Sequence, residues 1–133
     1  MSRANVEVLR AQYEAFTSGD LERTIEFWDP DGEWRPAMAG GVEDRIYRGQ
    51  EDLRRYWNDL FASFSEVRVE DLEFRDLGDR VLVLYILRVR GGDSGLTMDQ
   101  PAGAVYELRN GKLFRGRSYL ERRQALDAAG LRA

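Results

Sequence analysis

The segment from Val81 to Val89 is apolar on both faces of the strand that it predicts. Successive side chains of a strand point to opposite faces. An antiparallel strand with one face in water would therefore alternate apolar with polar residues. Here one face carries only apolar residues and the other stays apolar until Arg88. The two sets are Val81, Val83, Tyr85, Leu87 and Val89 on one face, and Leu82, Leu84 and Ile86 on the other.

Both faces of the predicted sheet therefore need a cover, and we expect the helices of the chain to cover only one. A second copy of the chain is the simplest cover for the other face. The pattern predicts a homodimer through the outer sheet face, with Leu82, Leu84 and Ile86 near its centre. A few exposed aliphatic side chains are the alternative, since these are common on soluble proteins.

Helical patterns dominate the first half of the chain. Apolar residues step by three and four over residues 4–18, and again over residues 49–64. Gly19 suits the position after a helix end, where positive φ is often needed. Asp20 suits the N-cap of a second helix over residues 21–28.

Strand patterns fill most of the second half. Short strands are predicted from Glu33 to Pro36 and from Ile46 to Arg48, and a short final helix over residues 124–129. Asn110-Gly111 is a strong signal for a type I′ hairpin turn. Longer strands are predicted at 66–77, 80–91, 96–109 and 112–121, with glycine-rich connections at 39–41 and 91–95. The order predicts one α+β domain over residues 1–133.

Composition removes several kinds of chemistry. The chain has no His and no Cys, so Ser-His-Asp and Cys-His nucleophilic sites cannot be built. Zinc and copper lose their usual ligands, and no acidic loop has the spacing of a magnesium or calcium site. We expect no metal and no cofactor.

Charge and hydropathy also limit the partners. The net charge of −4 gives no electrostatic case for nucleic acid. The sequence contains no long apolar run and no secretory signal pattern, so we expect no membrane segment and a cytoplasmic location.

A series of short markers runs through the chain. They are Tyr13-x-x-Phe16-x-x-Gly19-Asp20-Leu21, Phe27-Trp28-x-Pro30-Asp31, Glu33-Trp34-x-Pro36, Tyr47-Arg48-Gly49 and Asn110-Gly111-Lys112-Leu113. In this order the chain resembles the SnoaL-like proteins of the nuclear transport factor 2-like superfamily, from Val6 to Leu131. The resemblance implies a cone-shaped α+β barrel, in which three N-terminal helices pack on a curved, mostly antiparallel sheet around one internal pocket. Relatives include isomerases, cyclases, epoxide hydrolases and non-enzymes, so the fold leaves the function open.

The positions that carry catalysis in these relatives hold other residue types here. The ketosteroid isomerase branch places its base just before a proline of the first strand, where this chain has Arg35. Isomerases and cyclases place an acid at or beside the position of Ala104. The acid-arginine-acid set of limonene epoxide hydrolases falls on Leu87, Tyr85 and Ser118. The resemblance therefore implies a pocket without the known catalytic sets.

Asp99 is the remaining candidate for an acid or base. It enters the same strand as Ala104, and a bulge at Pro101 would decide the face on which it lies. At the mouth of an apolar pocket its pKa would be raised; a solvated loop acid is the alternative. The candidate catalytic set is Asp99, Tyr13 or Tyr47 as a hydrogen-bond donor, and Arg35 as an electrostatic stabiliser. Arg35 shares a face with Glu33, and the two are expected to pair inside the cone or at its rim.

The expected ligand is a small, mostly apolar organic molecule, because aromatic residues are abundant at the positions that face the implied pocket. We expect at most two ionisable groups there. The candidate ligand-binding residues are Trp34, Tyr47, Trp57, Phe61, Tyr85, Leu87, Gln100, Ala104, Tyr106 and Ser118. If the chain is an enzyme, the expected reaction is a cofactor-free isomerisation, cyclisation or hydration. The alternative is a non-catalytic ligand-binding or dimerisation module.

Overall fold

A computed structural model describes residues 2–37, 45–91 and 97–131 of the chain. Within these ranges the helices are α1 (Ser2–Thr17), α2 (Leu21–Glu26), α3 (Gly49–Ser63) and α4 (Arg122–Ala128). The strands are β1 (Trp28–Arg35), β2 (Tyr47–Arg48), β3 (Phe64–Asp76), β4 (Arg80–Gly91), β5 (Thr97–Arg109) and β6 (Lys112–Tyr119). The predicted order of elements is confirmed. Apart from Gly91, the predicted connections at 39–41 and 91–95 lie outside the described residues.

The strands form one sheet in the order β2-β1-β6-β5-β4-β3. Neighbouring strands are antiparallel except for β1 and β6, which run parallel. The predicted α+β class and mostly antiparallel sheet are confirmed. The sheet does not close, because β2 and β3 remain its two edges.

Local sequence sets several of these boundaries. Gly19, at φ 79°, follows α1, and the Asp20 carboxylate caps α2 by accepting a hydrogen bond from the Arg23 backbone N–H at 3.1 Å. Asn110 and Gly111 both have positive φ, at 53° and 77°, which the predicted type I′ turn requires. The first strand starts earlier than predicted, at Trp28, and its register with β6 shifts before Glu33.

The inner face of the sheet carries the main core. The predicted inward set of β4, including Val81 and Val83, is buried against helices α1 to α3 through residues such as Leu9, Ile25 and Leu53. The longest helix, α1, has 16 residues, and none of the helices in the described ranges is long and apolar enough to cross a bilayer.

The apolar part of the outer face is covered by α4 of the same chain. Leu82 is 0% exposed and Leu84 is 2% exposed, and both pack with Ala125 and Leu126 of α4. Gly103 permits this contact, because a Cβ at that position would lie 2.9 Å from the Ala125 Cβ. The predicted dimer centre is therefore wrong for Leu82 and Leu84. The periodicity of the sequence revealed α4 but not the face on which it packs.

The rest of the outer face near the β3 edge is charged. Arg88 forms ion pairs with Glu70 and with Asp99, and Arg68 forms ion pairs with Glu66 and Glu70. Such exposed pairs contribute little to stability. Because these side chains are charged, this part of the sheet remains exposed to water, next to the apolar patch that α4 covers.

The position of Leu84 under α4 predicts that Leu84→Glu unfolds the chain rather than separating two copies. A carboxylate buried without a partner should lower the free energy of unfolding by more than about 3 kcal/mol. Leu72→Glu, at an exposed residue of β3, is the matched control and should change it by about 0.5 kcal/mol or less. Urea unfolding measures both. The opposite result would be a Leu84→Glu protein that keeps its stability and sediments at half the wild-type mass. It would show that Leu84 packs between two copies and not within one chain.

Candidate functional site

A cavity of about 80 Å³ lies between the helices and the inner face of the sheet. Its walls are aromatic and aliphatic side chains from α1, α3 and the inner faces of β1, β3, β4, β5 and β6. Seven residues that the sequence predicted for the site line this cavity: Tyr13, Trp34, Trp57, Tyr85, Leu87, Tyr106 and Ser118. The structure therefore contains an internal cavity with mostly apolar walls; that this cavity binds a ligand stays a prediction.

Four predicted ligand-binding residues lie outside this wall. Tyr47 packs on Tyr56, with ring centroids 4.8 Å apart, and Phe61 is 37% exposed. Gln100 shares the inner face but donates a hydrogen bond from Nε2 to the Leu120 carbonyl at 2.7 Å. Ala104 is fully buried in the core below the cavity.

The structure does not bring Asp99 to the cavity. The pairing of β4 with β5 runs without a shift from Arg80↔Glu107 to Arg90↔Thr97, so Pro101 causes no bulge. Asp99 consequently shares the outer face with Gly103, and its side chain is 58% exposed and pairs with Arg88 at 3.0 Å. Asp99 is therefore a solvated surface acid, which was the alternative expectation for this residue.

Arg35 and Glu33 also lie on the outer face, since the intervening Trp34 points into the cavity. Glu33 pairs with Arg48 at 3.5 Å rather than with Arg35. Of the candidate catalytic set, only Tyr13 reaches the inner cavity. Within the described ranges, no three acidic side chains are grouped so that they could hold a metal ion.

A pair of buried phenols marks one wall of the cavity. The hydroxyl oxygens of Tyr13 and Tyr106 lie 2.6 Å apart in a hydrogen bond. The Tyr106 ring stacks on Trp34 with centroids 5.8 Å apart and planes 8° from parallel. Gly116 makes room for this stack, because a Cβ there would lie 2.9 Å from both rings. No pattern in the sequence indicated the role of Gly116.

Gln12 is the polar side chain of the wall that sequence reasoning missed. It is 3% exposed, and its Oε1 has no hydrogen-bond partner among the described residues. The spacing Leu9-x-x-Gln12-Tyr13 places it on the apolar stripe of α1, which is the signal that could have identified it. The cavity thus presents an acceptor, the Gln12 Oε1, that the described protein atoms do not satisfy.

The family model of the SnoaL-like domain matches residues 9–116. The chain belongs to the SnoaL-like family. A comparison with proteins of curated function gives no match.

Solved structures confirm the fold of this SnoaL-like chain. Bal32a, from a soil-derived mobile gene cassette, is 22% identical with a TM-score of 0.81, and the alignment covers 96% of each chain. A candidate polyketide cyclase from Xanthomonas campestris is 20% identical with a TM-score of 0.77, over 96% of this chain and 98% of that chain. TerC, co-crystallised with polyporic acid, is 22% identical with a TM-score of 0.77, over 96% of this chain and 98% of its own. Identities this low establish the fold alone.

The SnoaL-like cavity contains phenols but no carboxylate or basic side chain among its described lining residues. Five tyrosines line it, so the expected limit of two ionisable groups is exceeded once phenols are counted. Burial raises the pKa of Tyr13, Tyr56, Tyr85 and Tyr106 above the ordinary value of 10.0. These four phenols therefore stay protonated at neutral pH and act as hydrogen-bonding groups rather than as bases.

The Tyr13–Tyr106 hydrogen bond predicts non-additive effects of mutation. Tyr13→Phe or Tyr106→Phe alone leaves a buried hydroxyl without its partner, and each should lower the free energy of unfolding by about 1–3 kcal/mol. The double variant removes both groups and should cost less than the sum of the single changes. Urea unfolding of the four proteins measures this coupling. Strictly additive costs would show that the two hydroxyls do not depend on each other.

The raised tyrosine pKa values predict a loss of stability in alkali. Above the ordinary pKa of 10.0, unfolded tyrosines lose protons that the buried ones keep, so unfolding releases protons and rising pH favours it. Each such phenol should remove about 1.4 kcal/mol per pH unit in this range, with no loss at lower pH.

Urea unfolding followed on both sides of the ordinary tyrosine pKa checks this expectation. Tyr85→Phe should reduce the slope of stability against pH by one proton. The expectation fails if phenolate absorbance rises at the ordinary tyrosine pKa for every tyrosine while the protein stays folded and equally stable.

Proposed function

We propose that this SnoaL-like chain binds a small, neutral, mostly apolar organic molecule that carries one hydrogen-bonding group. The observation that carries this proposal is the unpaired Oε1 of buried Gln12 at an otherwise apolar cavity. A buried polar atom without a partner costs about 1–3 kcal/mol. A ligand hydroxyl that donates to Gln12 recovers this energy, so the site selects for such a group.

The walls support the apolar part of the ligand. Trp34, Trp57 and Tyr85 present rings to the cavity, and Val67 and Leu87 add aliphatic contacts. With about 80 Å³, the cavity is smaller than the roughly 300–1,000 Å³ of pockets for drug-sized ligands. The ligand is therefore about the size of a single ring. The co-crystallisation of TerC with polyporic acid is consistent with ligand binding by this fold.

Binding without proton transfer fits the cavity better than acid-base catalysis. Isomerisation, cyclisation and hydration need a group that accepts a proton near neutral pH. The described lining residues include no carboxylate, and burial raises the pKa of Tyr13 and Tyr106. The proposed function is thus a ligand-binding module.

The second candidate function is catalysis by hydrogen bonding from the phenol pair. In the Tyr13–Tyr106 bond one hydroxyl donates to the other, which leaves the proton of the second free for a ligand carbonyl. Such a donor stabilises an oxyanion as it develops. This function requires a base from the substrate or from solvent.

The homodimer and the cytoplasmic location remain predictions from the sequence.

Phenol and toluene provide a matched test of the binding proposal, because they differ only in a hydroxyl against a methyl group. Phenol should bind more tightly than toluene, by about tenfold for one buried hydrogen bond. Gln12→Met keeps the side-chain size and removes the acceptor, so it should abolish this preference and leave toluene binding unchanged. The hydroxyl can donate or accept, so the result does not depend on the orientation of the Gln12 amide. Isothermal titration measures the affinities.

A cavity-filling variant locates this binding. Val69 lines the cavity, so Val69→Phe should prevent binding of both compounds. Leu72→Phe, at an exposed position of the same strand, should leave binding intact. Equal affinity of the wild-type protein for phenol and toluene would reject the role of Gln12. Unchanged binding by a folded Val69→Phe protein would reject the inner cavity as the site.

A further inference from the structure

Gln12 lies at a position where packing alone favours an apolar side chain. It belongs to the buried stripe of α1, three residues after Leu9 and four before Phe16, and it is 3% exposed. Burying a glutamine orders a long side chain and removes its amide from water. Leucine or methionine would fill a similar volume without this cost. The amide therefore indicates a role beyond packing.

Both ends of the Gln12 amide lack a partner among the described residues. The Oε1 accepts no hydrogen bond there, and the Nε2 donates none. The backbone of α1 does not supply partners at this point, because its N–H and C=O groups bond to each other along the helix. Gln100 differs, since its Nε2 donates to the Leu120 carbonyl at 2.7 Å. Gln12 thus presents an unpaired acceptor and an unpaired donor at the cavity that it lines.

A ligand group that satisfies both ends must carry a donor and an acceptor side by side. A hydroxyl offers both on one oxygen atom, which cannot face the two amide ends with straight hydrogen bonds. An open-chain secondary amide has an N–H and a C=O, but in its usual trans form they point in opposite directions. A small ring holds the amide cis, so that both groups lie on one edge. A cyclic amide, or lactam, is therefore the complement of the Gln12 side chain.

The charge and size of the cavity disfavour other groups that have such an edge. A carboxylic acid loses its proton at neutral pH, and its two oxygens are then both acceptors, one of which would face the Gln12 Oε1. The described lining residues include no basic side chain to compensate the charge. A carboxamide attached to a ring needs more room than the ring alone, whereas the cavity of about 80 Å³ is small even for one ring.

We propose that the cavity binds a small lactam, whose N–H donates to the Gln12 Oε1 and whose C=O accepts from the Gln12 Nε2. This ligand class rests on the ligand-binding function proposed above and specifies the hydrogen-bonding group of that ligand. The ring lies against the aromatic walls that Trp34, Trp57 and Tyr85 form. Both hydrogen bonds form with either assignment of the amide O and N atoms, because the ligand ring can turn over.

The isomers 2-pyridone and 4-pyridone separate this proposal from general binding of polar rings. Both have the same ring, N–H and C=O, but the two polar groups are adjacent only in 2-pyridone. Either tautomer of 2-pyridone keeps a donor beside an acceptor. The wild-type protein should bind 2-pyridone about tenfold more tightly than 4-pyridone, because only 2-pyridone makes both hydrogen bonds. Isothermal titration measures the two affinities.

A variant and a matched control assign the preference to the Gln12 amide. Gln12→Met keeps the side-chain length and removes both hydrogen-bonding groups, so the ratio of the two affinities should fall by about tenfold. Gln50 is not among the described residues that line the cavity, and its Nε2 donates to the Trp28 carbonyl at 3.3 Å. Gln50→Met should therefore leave the ratio at its wild-type value.

Side-chain amide resonances give a second measurement, which needs only the wild-type fold. In isotope-labelled wild-type protein, 2-pyridone should shift the proton resonances of the Gln12 side-chain amide downfield, because one of its N–H groups enters a hydrogen bond with the ligand carbonyl. The corresponding resonances of Gln50 should stay in place. An unmoved Gln12 amide in protein saturated with 2-pyridone would overturn the proposal.

Other results would also overturn the lactam proposal. Equal affinities for 2-pyridone and 4-pyridone would show that the ligand does not use both ends of the amide. A ratio unchanged by Gln12→Met would place the preference elsewhere in the protein. Benzoate bound more tightly than 2-pyridone would make an acid the ligand.

The phenol and toluene pair distinguishes failure of this proposal from failure of the ligand-binding function. If phenol keeps its preference over toluene while the two pyridones bind equally, the lactam proposal is wrong and the ligand-binding function stands. If the wild-type protein binds none of these rings, both are wrong.

Discussion

The burial of β4 on both faces is the constraint on which the architecture depends. Its inner residues pack on α1 to α3, whereas Leu82 and Leu84 pack under α4. If only the three N-terminal helices covered the sheet, an apolar strip at its centre would be exposed to water. The approach of α4 over Gly103 removes that strip within one chain. The outer face is thereby divided into an apolar part under α4, a charged network near β3, and a concavity near β1 that arginine and glutamate side chains line.

The two sides of the sheet differ in polarity. On the inner side, the described lining residues carry no charged side chain. Their polar groups are the phenols, the Gln12 amide, the Trp34 N–H and the Ser118 hydroxyl. The Ser118 hydroxyl accepts a hydrogen bond from the Ala37 backbone N–H at 2.8 Å. On the outer side, the same strands carry arginines and glutamates. Strand alternation is enough to produce both environments from neighbouring residues. One sheet thus separates an inner cavity without charged lining residues among those described from an outer surface that carries charged side chains.

The sequence predicted the element order, the two faces of β4 and much of the cavity wall, because these depend on local periodicity and alternation. It did not locate Asp99, since the face of that residue depends on whether Pro101 interrupts the pairing of β4 with β5, and the ladder passes through it unbroken. It also did not place α4, which is set by a close contact at Gly103 between segments distant in the chain. Gln12 was missed for a different reason: a polar residue on an apolar stripe becomes informative only when its burial and lack of a partner are known.

The position of α4 in the chain has a consequence for how the protein reaches its native state. Synthesis proceeds from the N-terminus, so β4 leaves the ribosome well before the helix that shelters Leu82 and Leu84. Until then, the nascent sheet exposes an apolar patch to which other chains or a chaperone can bind. Quality control in the cell would consequently act most strongly on this interval, and a chain cut short before α4 would be a target for aggregation or degradation even with its inner cavity complete.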